Sequence, residues 1–148
     1  MRISAKGRYA LASTISMAQD FSNGENITVI SLSEKLGISK IYLEQVFALL
    51  KRGEIVTSLK GAQGGYMLAR SPRDITAYQV LSAVENSLIE VSEETVAQKA
   101  PQIDAAMHAL VFSTLDVAVK NALENITLDD LVNEAEKLNH SDSLMFFI

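Results

Sequence analysis

The sequence predicts a mainly α fold with a small β-hairpin, and three observations predict it. Apolar residues recur at helical spacing, and Ser4, Thr28, Ser39, Thr76 and Thr127 each stand before such a run as a cap. A single stretch, 54–68, places β-branched residues before a glycine-rich tip and the apolar run Tyr66-Met67-Leu68 after it, as a hairpin does. The composition supports a packed chain: 48% of the 148 residues are hydrophobic, 21% are charged, and there are 2 Pro and 7 Gly.

The elements follow in order. Ser4 caps a first helix to about Phe21, with Leu11, Ile15 and Ala18 on one face. Residues 22–26 are polar, contain Gly24 and form a loop. Thr28 caps a short second helix with Leu32 and Leu36 apolar, and Gly37 is its left-handed stop. Ser39 caps a third helix through Arg52, with Leu43, Val46, Phe47 and Leu50 on one face and Gly53 as its stop. Two helices joined by Gly37, Ile38 and Ser39 make a helix–turn–helix. Lys40, Tyr42, Glu44, Gln45 and Lys51 are left on the free face of the second of them.

Residues 54–60 form a strand, 61–65 a tip, and Tyr66, Met67 and Leu68 a returning strand. A hairpin directly after a helix–turn–helix is a wing. A phosphate-binding loop fits less well, because a strand follows these glycines and the lysine precedes them. Beyond Pro72, Thr76 caps a fourth helix to about Glu85, with Val80, Leu81 and Val84 apolar. Residues 86–100 read as an acidic loop or short helix. The longest helix is expected from Pro101 to Glu124, with two apolar stripes: Ile103, Met107, Leu110 and Val117, and Val111, Leu115, Ala118 and Ala122. One stripe serves the chain's own domain and the other a second subunit, unless a single central helix is buried all round. Thr127 caps a last helix through about Leu138, with Leu128, Leu131 and Val132 inward, and an apolar tail follows at 144–148. The domain division is therefore 1–85, a winged helix–turn–helix; 86–100, a linker; and 101–148, a dimerisation helix, final helix and tail.

Charge divides along the same line. Residues 1–76 hold ten basic and six acidic side chains, a balance of +4, and the remainder holds three against twelve, a balance of −9, which together give the net −5. A basic first half points to nucleic-acid contact, although two unequal solvated surfaces produce the same arithmetic. The absence of cysteine excludes disulfides, thiol nucleophiles and thiolate-ligated zinc or iron. No apolar run is long enough to span a membrane, and a soluble cytoplasmic protein is expected. No nucleophile–base spacing or paired-carboxylate motif suggests an enzyme.

Residues 1–10, the run Ile38-Ser39 followed by Tyr42-Leu43-Glu44-Gln45, the tip and strand 61–68, and residues 125–131 together resemble the Rrf-two family of bacterial winged-helix regulators along the whole chain. The resemblance implies a homodimer on a pseudo-palindromic double-stranded DNA operator, with the recognition helix in the major groove and the wing in the minor groove. A winged helix that has lost DNA binding and serves protein assembly is the rival expectation. On the DNA reading, Ser39, Lys40, Tyr42, Glu44 and Gln45 face bases. Arg2, Lys6, Arg8 and Lys60, with Arg70 beside them, hold phosphates, and Gly61, Gly64 and Gly65 let the wing approach the backbone. The dimer is expected to close on Met107, Val111, Leu115, Ala118 and Ala122.

Cluster-binding members of the family have three cysteines before the dimerisation helix, and here there are none, so no cofactor is expected. Asp104 and His108 lie one helical turn apart, but two ligands are too few for a metal. Residues 6–9, 42–45, 74–77 and 145–148 resemble the family's cysteine-metabolism repressors. That likeness implies a complex with cysteine synthase. The end of the chain, Phe146, Phe147 and Ile148, either packs on the protein itself or inserts its carboxylate and side chain into that partner's active site.

Overall fold

The computed structural model describes residues 3–24, 26–61, 64–88 and 90–146, with side chains up to Ser141. Helix α1 spans Ala5–Gln19, α2 Val29–Leu36 and α3 Lys40–Arg52, and strands β1 (Val56–Ser58) and β2 (Tyr66–Leu68) follow. Then come α4 (Ala77–Val84), α5 (Pro101–Met107), a π-helical turn (His108–Phe112), α6 (Ser113–Glu124) and α7 (Leu128–Phe146). The mainly α fold with one hairpin is the one expected.

The cap residues act through their side chains. The hydroxyls of Ser4, Thr28, Ser39 and Thr76 accept from the amides of Gly7, Ser31, Tyr42 and Gln79. At α4 the exchange is reciprocal, because Gln79 Oε1 accepts from the Thr76 amide at 3.0 Å. Thr127 and Asp130 make the same exchange before α7. Helix α1 stops two residues short of Phe21, which starts a 3₁₀ turn ended by left-handed Gly24.

Gly53 ends α3 without a left-handed backbone; its neighbour Glu54 has the positive φ, 60°. Glycine is needed at 53 for a different reason, since a Cβ there would lie 2.7 Å from Cβ of Ala83 on α4. The reversal at Glu54 also shortens the first strand, expected from residue 54, to three residues in register Val56↔Leu68, Thr57↔Met67 and Ser58↔Tyr66. Ile27 joins the other side of β2, exchanging amide–carbonyl bonds of 3.0 and 2.8 Å with Tyr66.

One core joins α1, α3, α4 and the sheet, with Ala10, Met17, Leu43, Val46, Phe47, Leu50, Ile55 and Val80 buried. Leu128 and Val132 of α7 enter the same core, and an antiparallel bridge between Thr76 and Thr127 ties the start of α7 to the start of α4. The last helix runs to Phe146, well past Leu138, so the backbone of the expected tail is helical as far as the described residues extend.

The long helix differs from expectation in its phase. The π turn places an extra residue in the spiral, so a stripe counted at a constant period is displaced after it. Phe112, Val119 and Leu123 are half-buried, with α6 against α4. Neither expected stripe is the domain-facing one: Ile103, Leu110, Val111, Leu115, Val117, Ala118 and Ala122 are exposed and Met107 is half-buried.

Candidate nucleic-acid interface

Four buried residues set the orientation of α3. Leu43, Val46, Phe47 and Leu50 seat it on the core, and Lys40, Ile41, Glu44, Gln45 and Ala48 are consequently turned to solvent. Ser39 caps the helix, its hydroxyl accepting from the Tyr42 amide at 3.2 Å. Lys40 and Glu44 pair at 3.8 Å, both half in water. Tyr42, expected on the free face, is half-buried, and its ring meets Tyr9 of α1 edge-on at 5.0 Å. That contact sets the first turn of α1, with exposed Arg8 and half-buried Lys6, beside the first turn of α3. Arg2 lies outside the described residues.

The wing follows α3 in the chain, and Tyr66 of β2 meets Phe47 of α3 with ring centroids 4.8 Å apart. Lys60 and Gly61 are exposed at its tip. Gly64 has φ 60°, with nothing near an added Cβ. Gly65 has φ 112°, and a Cβ on it would come within 3.2 Å of the Ile27 carbonyl oxygen. Its small size thus serves the pairing of Ile27 with β2. Arg70 stands at the other end of the hairpin, donating to the Glu54 carbonyl at 3.0 Å and to Gln79 at 3.4 Å.

Ile41 is also exposed on this side of α3, and helical spacing places it on the face of Gln45 and Ala48.

The segment before the long helix is closed by a carboxylate. Asp104 is buried and accepts from the amides of Val96 and Thr95, each at 2.9 Å. Those two donors hold its carboxyl below the usual range, and His108, 3.5 Å away, acts in the same direction. His108 also meets the Phe112 ring edge-on at 4.9 Å. Among the described residues no three His, Cys, Asp or Glu side chains come together as a metal site. Glu85 is likewise buried, accepting from the amide and hydroxyl of Ser4. Among the described residues no helix is long and apolar enough to cross a membrane.

Residues 3–134 match the Rrf2 family model, described as an iron-dependent transcriptional regulator. The chain belongs to the Rrf2 family. It is 34% identical over 142 residues to the HTH-type transcriptional regulator IscR of Pectobacterium atrosepticum, covering 96% of this chain and 85% of that one. Its structure resembles that of T. potens IscR, with a TM-score of 0.70, 31% identity and coverage of 93% and 90% of the two chains. It also resembles CymR, the global cysteine regulator of B. subtilis, with a TM-score of 0.70, 30% identity and coverage of 90% and 98%. This Rrf2 chain is thus a transcriptional regulator of the DNA-binding kind, and its relatives are regulators rather than enzymes. The iron dependence in the family's description finds no thiolate in this sequence, while Asp104 Oδ1 accepts from two backbone amides and its Oδ2 faces His108.

Proposed function

We propose that this Rrf2 regulator is a homodimeric repressor that binds a pseudo-palindromic operator without an iron–sulfur cluster. The observation behind this reading is the free face of α3, a capped helix whose exposed first turns lie beside the basic start of α1 and which leads directly into the hairpin. In a major groove, Ser39, Lys40, Glu44 and Gln45 face base edges, and Tyr42 reaches them from its seat on Tyr9. Glu44, an acceptor only, suits cytosine N4. Arg2, Lys6, Arg8 and Lys60 hold phosphates, with Gly61 and Gly64 at the wing tip. The exposed apolar surface around Met107, Val111, Leu115, Ala118 and Ala122 supports a dimer seam along 101–124. These roles divide the chain into 1–85, 86–100 and 101–148, although α7 packs Leu128 and Val132 into the core of the first part.

A duplex selected from random sequence should bind with steep salt dependence, and loss of one phosphate contact should lower the slope by about one. Leu115→Asp places a charge in the seam and should yield monomers by light scattering that no longer bind the selected operator. Weak binding of equal strength to all duplexes would sink the regulator reading. A dimeric Leu115→Asp protein would move the interface.

Control of cysteine metabolism is supported by the likeness to CymR. On that reading cysteine synthase is the partner, and the end of the chain is its ligand. Phe146 is described through its backbone only, and Phe147 and Ile148 lie outside the described residues. Calorimetric titration with cysteine synthase, using the intact chain and one lacking Ile148, tests this. Equal heats from both chains would remove the tail from the interaction.

A further inference from the structure

Ile41 is 71% exposed in the first turn of α3. Local structure does not explain an isoleucine there. A β-branched side chain loses rotamer freedom in a helix, so Lys, Gln or Glu would support this turn better. Burial does not explain it either, since its neighbours Leu43, Val46 and Phe47 turn the opposite side of α3 to the core. It stands between the capping Ser39 and the Lys40–Glu44 pair, at the positive end of the helix. Lys6 and Arg8 start the helix packed beside it. The surroundings therefore suit a polyanion, and the side chain itself suits an apolar group displayed by one.

In the major groove of unmodified DNA that group is the thymine C5-methyl. We propose that Ile41 is a specificity-determining residue that reads a thymine methyl in each operator half-site. The inference rests on the operator-binding function proposed above. Spacing sharpens it. Glu44 lies three residues further on, about 4.5 Å along the helix, or roughly one base-pair step. A thymine read by Ile41 and a cytosine read by Glu44 should then stand one to two base pairs apart. Ala48 continues the same face one turn beyond, where it is also exposed.

The test uses the full chain and an operator obtained by selection from random duplex. Each thymine of the half-site is replaced in turn by deoxyuridine, which lacks only the methyl. Wild type should lose about fourfold in affinity at one thymine per half-site. Ile41→Ala should bind the unmodified operator more weakly by a similar factor and lose nothing further at that position. Ile41→Val should keep most of the discrimination. Because the side chain is exposed, both variants should melt as wild type does. Equal deoxyuridine penalties for wild type and Ile41→Ala at every position would overturn the proposal while leaving operator binding intact. A loss of self-association in Ile41→Ala would also overturn it, by assigning the side chain to a protein contact. If wild type enriches no sequence at all, the operator-binding function and this inference fall together.

Discussion

Helices α3 and α6 are nearly equal in length, 13 and 12 residues, and both are amphipathic, yet they end in opposite situations. Helix α3 buries Leu43, Val46, Phe47 and Leu50 completely, and what remains outside is mostly polar. Helix α6 buries no residue, and Leu115 and Val117 are more than half exposed. Its apolar surface continues back through Val111 and Leu110, the latter 75% exposed. An apolar surface that a single chain leaves in water is a surface available to another molecule. The stability of the winged part is thus internal, and on the dimer proposed above that of the long helix would depend on association.

The first way to break the comparison is at its strongest point. Phe47→Ala empties the centre of the core and should cost about 3–5 kcal/mol in thermal or denaturant unfolding. Leu115→Ala should leave the dilute chain within about 0.5 kcal/mol of wild type, while making its melting temperature less dependent on protein concentration. Equal penalties from the two truncations would erase the distinction.

Smaller changes sharpen it. Gly53→Val sets a side chain against Ala83 where α3 meets α4, and overpacking there should cost about 1–3 kcal/mol. A neutral result would mean that the two helices separate freely. Thr76→Ala removes one half of the reciprocal cap on α4 and should cost about 1 kcal/mol, read as a lower urea midpoint with unchanged slope.

The smallest expected effect lies between the two regions, at Asp104. Its carboxyl is held below the ordinary aspartate value of about 3.9 by the Val96 and Thr95 amides, so its contribution is present above roughly pH 4. That contribution is lost as pH falls through the lower folded value. The amide resonances of Thr95 and Val96 should shift together in that acid range, and Asp104→Asn should abolish the transition. Titration of both amides at the ordinary aspartate value would separate them from the carboxylate.

Much of this was legible in the sequence because the governing contacts are local. A cap is a bond between a side chain and an amide two or three residues away, so Ser4, Thr28, Ser39, Thr76 and Thr127 announce helix starts that the fold then uses. The core face of α3 follows from spacing in the same way. Lys40, Glu44 and Gln45, the polar residues of the proposed recognition surface, are readable as the complement of that face. Ile41 was passed over because an exposed apolar residue looks like core until the packing is known.

The order of the main helices, the turn at Gly37, the hairpin and the family are thus written into short stretches of the chain. The remaining features come from packing, because each depends on residues far apart in the chain or on a departure from regular geometry. Ile27 pairs with Tyr66 across 38 intervening positions, and Gly65 is needed for that approach rather than for the turn alone. The π turn at His108–Phe112 breaks the constant period on which the two-stripe reading depended. Glu54, not Gly53, takes the left-handed backbone, and Gly53 is glycine because Ala83 of another helix fills the space a side chain would need. Asp104 closes onto Thr95 and Val96 through a loop whose composition gives no period to count. Local hydrogen bonds and periodicity are encoded within a few residues. Which surfaces meet, and which are left in water, emerges only when the helices are packed.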